Sequence, residues 1–176
     1  MTSVVSPEPA VKPGRSASRR ANALADRLEQ GAQMLADVAR ALTDAEWQTR
    51  IPKDGRRVGV VVHHVASVYP LEIHLAQVLA SGQPVTGVTM DDVHSGNAAH
   101  AIEFHAVTRA AAVELLGRNS AVAAAAIRAL SDDQLEQAAP ASLYASAPVT
   151  CQFMLEDHAV RHSYHHLARI RAALKR

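Results

Sequence analysis

The sequence predicts an all-α fold, a four-helix bundle, and three observations carry that expectation. Four stretches show apolar residues recurring at threes and fours, the spacing of one buried helical face. Aromatic content is only 3% while alanine and leucine abound, a composition that suits helices packed at small side chains more than sheets. Apart from Pro70, glycine and proline gather mainly in clusters that read as connections. With 176 residues and no visible repeat, one domain suffices to bury a core without disulfide or metal staples.

Residues 1–18 carry Pro7, Pro9, Pro13, Gly14 and several serines without apolar periodicity. A disordered tail is expected there, with the bundle domain over 19–176. From Arg19 onward Ala21, Leu24, Leu28, Ala32, Leu35, Val38, Ala39 and Leu42 form one stripe. Asp26, Glu29, Gln33, Asp37 and Arg40 occupy the opposite side, which defines an amphipathic first helix. Thr43 and Glu46 have capping-box spacing ahead of Trp47, an apolar plug, and a loop follows over 52–55.

The second helix is expected over 57–80. Val60, Val61, Val68, Leu71, Leu75, Val78 and Leu79 share the face of His64, so that imidazole should be buried. His63, Ser67, His74 and Gln77 lie about 60–140° away. Pro70 should kink the helix, because it removes one backbone hydrogen bond. The other faces are also largely apolar, which points to a central helix or one covered by a second subunit.

A connection over 81–89 leads to a third helical region capped by Thr89 or Asp91 and running through Leu130, with interruptions expected near Val107 and Gly117. Its stripe reads Val93, Asn97, His100, Phe104, Thr108, Ala111, Leu115, Val122 and Ala126. A short capped turn is expected over 131–136 and a loop over 139–148. Thr150 is the cap of the last helix, which reaches the chain end with Leu167, Ile170 and Leu174 on its core side.

Charge and cysteine content narrow the function. Eighteen Lys and Arg against seventeen Asp and Glu leave a formal charge of +1, with no basic block beyond Arg19-Arg20 and Arg56-Arg57. Nucleic acid is therefore not an expected partner. The single Cys151 rules out an internal disulfide, in keeping with a reducing compartment. No run approaches the ~18 apolar residues of a membrane span and the N-terminus lacks a signal-peptide core, so a cytoplasmic protein without a membrane partner is expected.

The chemistry concentrates in the last helix. His158, His162 and His166 fall on one face, continued by Cys151, Leu155, Arg169 and Ala173, while His165 lies at its edge. Imidazoles at i and i+4 can chelate a divalent metal. His-x-x-x-His also arises by chance in a chain with ten histidines, so the spacing alone does not define a site. A buried His64 needs a polar partner, since an unpaired one costs about 1–3 kcal/mol, and a metal would serve. Depth along the helices brings His64 to His162 and His166 if helices two and four are antiparallel. Asn97 and His100 would join them only if helices two and three run parallel.

The run Val58-Gly-Val-Val-Val-His63-His64-Val-Ala, followed far downstream by His162-Ser-Tyr-His165-His166-Leu-Ala-Arg169-Ile-Arg, resembles the DinB-like superfamily of damage-inducible bacterial four-helix bundles. That superfamily includes S-transferases and maleylpyruvate isomerases that use mycothiol or bacillithiol. The resemblance covers residues 20–176. It implies an up-down-down-up bundle, a homodimer, and a divalent ion such as nickel or zinc on a triad falling on His64, His162 and His166. Arg56-Arg57 stand where the family often has an aromatic and a hydroxyl residue, and no thiol-binding signature is visible.

Two functional classes follow. In the first, the chain is a metal-dependent enzyme acting on a small molecule with a thiol or water nucleophile, an S-transferase or a hydrolase, with a low-molecular-weight thiol as a potential co-substrate. Asn97, His100 and Arg169 are then the candidates to orient substrate or stabilise an anion. In the second, the metal is structural in a non-catalytic, stress-related bundle. A fourth protein ligand such as His158 or His100 would favour this second reading.

Overall fold

The computed structural model describes residues 18–175. The predicted tail thus lies outside the described residues, except Ser18, which belongs to the bundle. Its hydroxyl accepts from the Ala21 amide at 3.0 Å and caps helix α1 (Arg19–Ala41). The buried face of α1 holds Leu24, Leu28, Ala32, Leu35 and Ala39, as the apolar spacing predicts. Thr43 and Glu46 form the expected capping box of α2 (Asp44–Trp47). Trp47 is buried against Gly59, where an added Cβ would stand only 2.4 Å from the indole, so the plug seats only on a glycine. The indole Nε1 donates to the Val107 carbonyl at 3.1 Å.

Helix α3 (Val58–Ala80) runs unbroken through Pro70. Proline cannot donate to the Ala66 carbonyl one turn back. Asn119 replaces the missing donor, its Nδ2 lying 2.8 Å from that oxygen. Nearly the whole circumference of α3 is buried within this one chain, including His63, His64 and Glu72, with Pro70, Leu71, His74 and Gln77 left outward.

The expected third helix is two helices. Helix α4 (Met90–Glu103) is capped by the Thr89–Asp92 box, and α5 (Arg109–Arg128) by Thr108. The break near Val107 is real, but α5 continues through Gly117. Because residues 104–108 reset the helical phase, the predicted stripe does not carry across. The core side of α5 is Ala112, Leu116, Ser120, Ala123, Ala124 and Ile127, while Ala111 and Val122 are exposed and α4 buries no residue fully.

Helix α6 (Asp132–Glu136) carries a third capping box, from Ser131 and Gln134. The segment expected as a loop over 139–148 is bounded by a small antiparallel hairpin, β1 (Ala138–Pro140) with β2 (Pro148–Thr150). Strands of three residues are too short to show an alternating pattern. Thr150 then caps a C-terminal helix made of α7 (Cys151–Met154), a π-helical segment (Leu155–Val160) and α8 (Arg161–Leu174).

Named contacts fix the direction of each helix. Arg128, at the end of α5, pairs with Asp26 and Glu29 near the start of α1, and Arg109 at its beginning pairs with Asp44. Helices α1 and α5 are therefore antiparallel. Trp47 joins the beginnings of α3 and α5, which run parallel. His162 meets Glu72 while His166 meets His64, so the C-terminal helix is antiparallel to α3. Arg20 bonds Gln152 and the Tyr164 hydroxyl donates to the Arg27 carbonyl, which makes that helix parallel to α1. The result is the up-down-down-up bundle, in which α5 packs on α1 and α3 from one side and the C-terminal helix from the other. The parallel α3–α5 pair requires a long return, which α4 and its flanking loops provide.

Against the sequence expectation, α3 and α5 are each long and apolar enough to cross a membrane by length and composition alone. Here they pack against one another as core helices.

Candidate metal centre

Antiparallel packing of α3 on α8 brings His64, His162 and His166 together. Nitrogen atoms from all three lie within 4.8 Å of one another. The ring centroids stand 5.1 Å apart for His64 and His162, 5.5 Å for His64 and His166, and 4.8 Å for His162 and His166. His64 and His166 are buried and His162 half-buried. His162 Nδ1 lies 2.5 Å from Glu72 Oε1, a short contact that fixes the ring and its tautomer. Glu72 projects from α3 two turns past His64 and is itself buried.

The protonation states suit ligation. Burial, then the charge of His162 and of Arg56, hold His64 down at about 3. Burial, then His162 and His64, hold His166 down at about 2. Both rings are neutral near pH 7, the form that binds metals. His166 Nδ1 and Glu72 Oε2 are buried with no hydrogen-bond partner among the described residues. Leaving such atoms unpaired costs about 1–3 kcal/mol each, and a cation in this group would offset part of that cost. Three imidazoles with a carboxylate behind one of them are a donor set that fits a divalent metal.

Of the other candidates, His165 and His100 stand beside the group, the His165 ring 5.2 Å from that of His166. His100 Nε2 is 2.9 Å from His63 Nδ1, and the His100 ring lies 5.5 Å from that of His64 and 4.8 Å from that of Phe104, tilted by 37°. His63, expected to point away, is buried because α4 covers it. His158 does not join the group. It lies in the π-helical segment, whose wider turns carry i to i+5 bonds and break the 100° phase assumed from the sequence. Its Nε2 meets the Tyr144 hydroxyl at 2.8 Å instead. His74 and His165 face outward, as the wheel predicts.

Beside the histidines opens a cavity of about 900 Å³ between α4, the 50–57 turn and α8. Asn97 and Arg169 line it, together with Arg50, Lys53, Arg56 and Arg57. Its one carboxylate, Asp54, binds Arg56 through two contacts of 2.6 and 2.9 Å and Arg169 at 3.1 Å. Burial pushes Asp54 up, but the hydrogen bonds and charge of Arg56, helped by Arg169, outweigh it and hold the carboxyl at about 2.

A family model described as the DinB superfamily matches residues 27–170. The chain belongs to the DinB superfamily. Among solved structures, YfiT from Bacillus subtilis, described as a probable metal-dependent hydrolase with an unusual four-helix bundle topology, is 21% identical. It superposes with a TM-score of 0.71 over 94% of this chain and 92% of YfiT. A proposed member of the DinB family from Exiguobacterium sibiricum 255-15 is 18% identical, with a TM-score of 0.56 over 91% of this chain and 93% of that one. No protein in the curated comparison matches. At these identities the likeness is one of fold, so the DinB bundle is established while the chemistry must be argued from the residues.

Sequence reasoning missed Glu72, Asp54 and the basic wall. Glu72 left a signal, because it is the only carboxylate in the apolar helix Val58–Ala80. The basic wall left little, since its members are scattered over 50–57 and 169 and meet only through the fold.

Proposed function

We propose that this DinB chain is a metal-dependent enzyme of hydrolase or thiol-transferase type, with a divalent ion on His64, His162 and His166. The observation that carries the reading is the group of three converging imidazoles with no fourth ligand among the described residues. An open coordination position favours catalysis over a purely structural ion. Bound there, nickel or zinc would act as a Lewis acid, lowering the pKa of a water or low-molecular-weight thiol enough to supply a nucleophile near neutral pH.

The chain's own residues supply the rest. Glu72 accepts from His162 Nδ1 and so presents the opposite ring nitrogen to the centre. Burial keeps His64 and His166 neutral. His100, tied to His63, stands where it could pass a proton at Nε2 or Nδ1, and burial with the charges of His63 and Arg56 holds it at about 4, neutral and able to accept. Asn97 and Arg169 face the cavity from which a small molecule would approach. A hydrolytic reading agrees with the description of YfiT, and a homodimer remains part of the proposal.

The test is metal analysis of the purified chain, joined to a panel of esters, amides and thiol-plus-electrophile pairs assayed before and after chelation. Stoichiometric divalent metal and a chelator-sensitive turnover are expected. Turnover that survives complete metal removal would overturn the reading.

A further inference from the structure

The cavity beside the histidines carries a charge that the reading above does not explain. The whole chain has a formal charge of +1, yet five cationic side chains line this one cavity against a single carboxylate. Asp54 neutralises part of Arg56 and Arg169. The other three cations have no acidic partner among the described residues. Arg50 donates only to the Gly55 carbonyl at 2.6 Å and Arg57 only to the His105 carbonyl at 3.2 Å. Lys53 stands on the exposed tip of the turn.

The local fold concentrates these charges. Arg50 and Arg57 are paired across an antiparallel bridge, with the Ile51 amide donating to the Arg56 carbonyl and the Val58 amide to the Thr49 carbonyl. Like charges placed opposite one another on a bridge repel. Their repulsion is relieved when an anion sits between them. Val60, Ala98, Ala101 and Ile102 give the lining an apolar part, beside His94, Asn97 and His105, and Ile102 is 76% exposed. A volume of about 900 Å³ is that of a small-molecule site.

The three histidines do not line the cavity, but Arg56 on its wall is close enough to act on His64 and His166. Val60 lies four residues before His64 on α3, and Arg169 three residues after His166 on α8, steps of about 6 and about 4.5 Å along the helices. We infer that this cavity is the substrate pocket, and that it selects a small organic anion, a carboxylate or phosphate on an apolar body. Arg50, Lys53 and Arg57 hold the anionic group, the Val60–Ile102 wall takes the apolar body, and the remaining end reaches the three histidines. Arg56 and Arg169, locked on Asp54, form the rigid wall between the two subsites. The role of the histidines rests on the proposed function; the anion pocket does not.

The test measures binding to the full chain, metal-loaded and metal-free, by calorimetry with benzoate, phenyl phosphate and neutral benzamide. At least one of the two anions should bind tenfold or more tightly than benzamide, and weaken as salt rises. Which anion wins distinguishes carboxylate from phosphate. Arg57→Gln should remove most of that preference. Lys53→Gln, whose exposed side chain makes no hydrogen bond or ion pair among the described residues, should reduce it severalfold with an unchanged melting temperature. His166→Ala should leave anion binding intact while losing metal, which separates failure of the pocket from failure of the metal centre. Equal affinity for benzamide and both anions, or a preference untouched in Arg57→Gln and Lys53→Gln alike, would overturn the inference.

Discussion

The two seams of this bundle are built on opposite rules. Between α1 and α5 the contact is dry and made of small or branched apolar side chains, including Leu24, Leu28, Leu35, Leu116 and Ile127. Its charges, Arg128 with Asp26 and Glu29, stand on the rim. Between α3 and the C-terminal helix the core is polar: three imidazoles, the Glu72 carboxylate and a Tyr69–Ser163 pair lie where apolar packing would be cheaper. Two atoms there, His166 Nδ1 and Glu72 Oε2, have no partner among the described residues. The α1–α5 seam rests on apolar packing, with Arg109 Nε the buried unpartnered atom at its end, while the seam of α3 with the C-terminal helix gathers its unpartnered atoms around the three imidazoles.

Replacing a ligand should break the comparison most sharply. His64→Ala, His162→Ala and His166→Ala are each expected to lose bound divalent metal altogether at pH 7, while circular dichroism and cooperative unfolding persist on the strength of the α1–α5 seam. His74→Ala and His165→Ala, which face outward, should keep a full complement. Metal analysis after gel filtration decides it; full occupancy in His166→Ala would remove the basis for the centre.

Acid should act on the polar seam alone. His64 and His166 are held at about 3 and about 2, by burial first and neighbouring positive groups after it, against an unfolded value near 6.5. Below that value the unfolded chain takes up protons that the folded one refuses. Stability in the metal-free protein is thus fully present above about 6.5 and lost as pH falls towards the folded values, at up to about 1.4 kcal/mol per pH unit for each ring. The expected denaturation midpoint is flat above neutrality and falls between pH 6.5 and 4. A flat profile over that range would mean that the imidazoles are not buried as described.

Truncation in the dry seam gives the converse. Leu116→Ala removes a fully buried side chain between α5 and its neighbours, and should cost about 2–5 kcal/mol. Chemical denaturation of the metal-free variant should show the whole pH curve displaced with its slope unchanged, and metal stoichiometry retained in the folded protein. Loss of metal in this variant would show that the two seams are coupled.

Legibility in the sequence follows the same division. The dry seam could be read almost residue by residue in α1, because a regular helix with one apolar side carries its own phase from end to end. Where the phase is broken, reading fails: the 104–108 break shifted the inward side of α5 by one position, and the π-helical segment turned His158 out of the histidine face. His64, His162 and His166 were legible because two lie in one regular helix and the third in another. Glu72 was legible in principle as a lone acid in an apolar helix. The basic cavity was not, because Arg50, Lys53, Arg57 and Arg169 become neighbours only after the 50–57 turn has folded against α8.

Glu72 tests how far the polar seam reaches beyond the ligands. Glu72→Gln keeps the shape and an acceptor for His162 Nδ1 but removes the charge. Second partners of metal-bound histidines typically contribute about 10–100-fold in metal affinity, so competition with a chromogenic chelator should show a loss in that range, with little change in the stability of the metal-free chain. Unchanged affinity would make Glu72 a structural acid.

The smallest effect is expected at Tyr69 and Ser163, a polar pair of this seam that lies outside the group of three imidazoles. Their hydroxyls lie 2.6 Å apart, with both residues fully buried. Tyr69→Phe orphans the Ser163 hydroxyl, but a serine in a helix can turn to the carbonyl one turn back. The cost should therefore fall near the lower end for a lost buried partner, about 1 kcal/mol. Adding Ser163→Ala removes the orphaned group and should recover part of that loss, since replacing both partners of a buried hydrogen bond is cheaper than replacing one. Metal affinity should not move in either variant. If Tyr69→Phe instead weakened metal binding as much as Glu72→Gln, the division drawn between satisfied and unsatisfied polar groups would fail, and the hydroxyl pair would have to be counted with the histidines as one network.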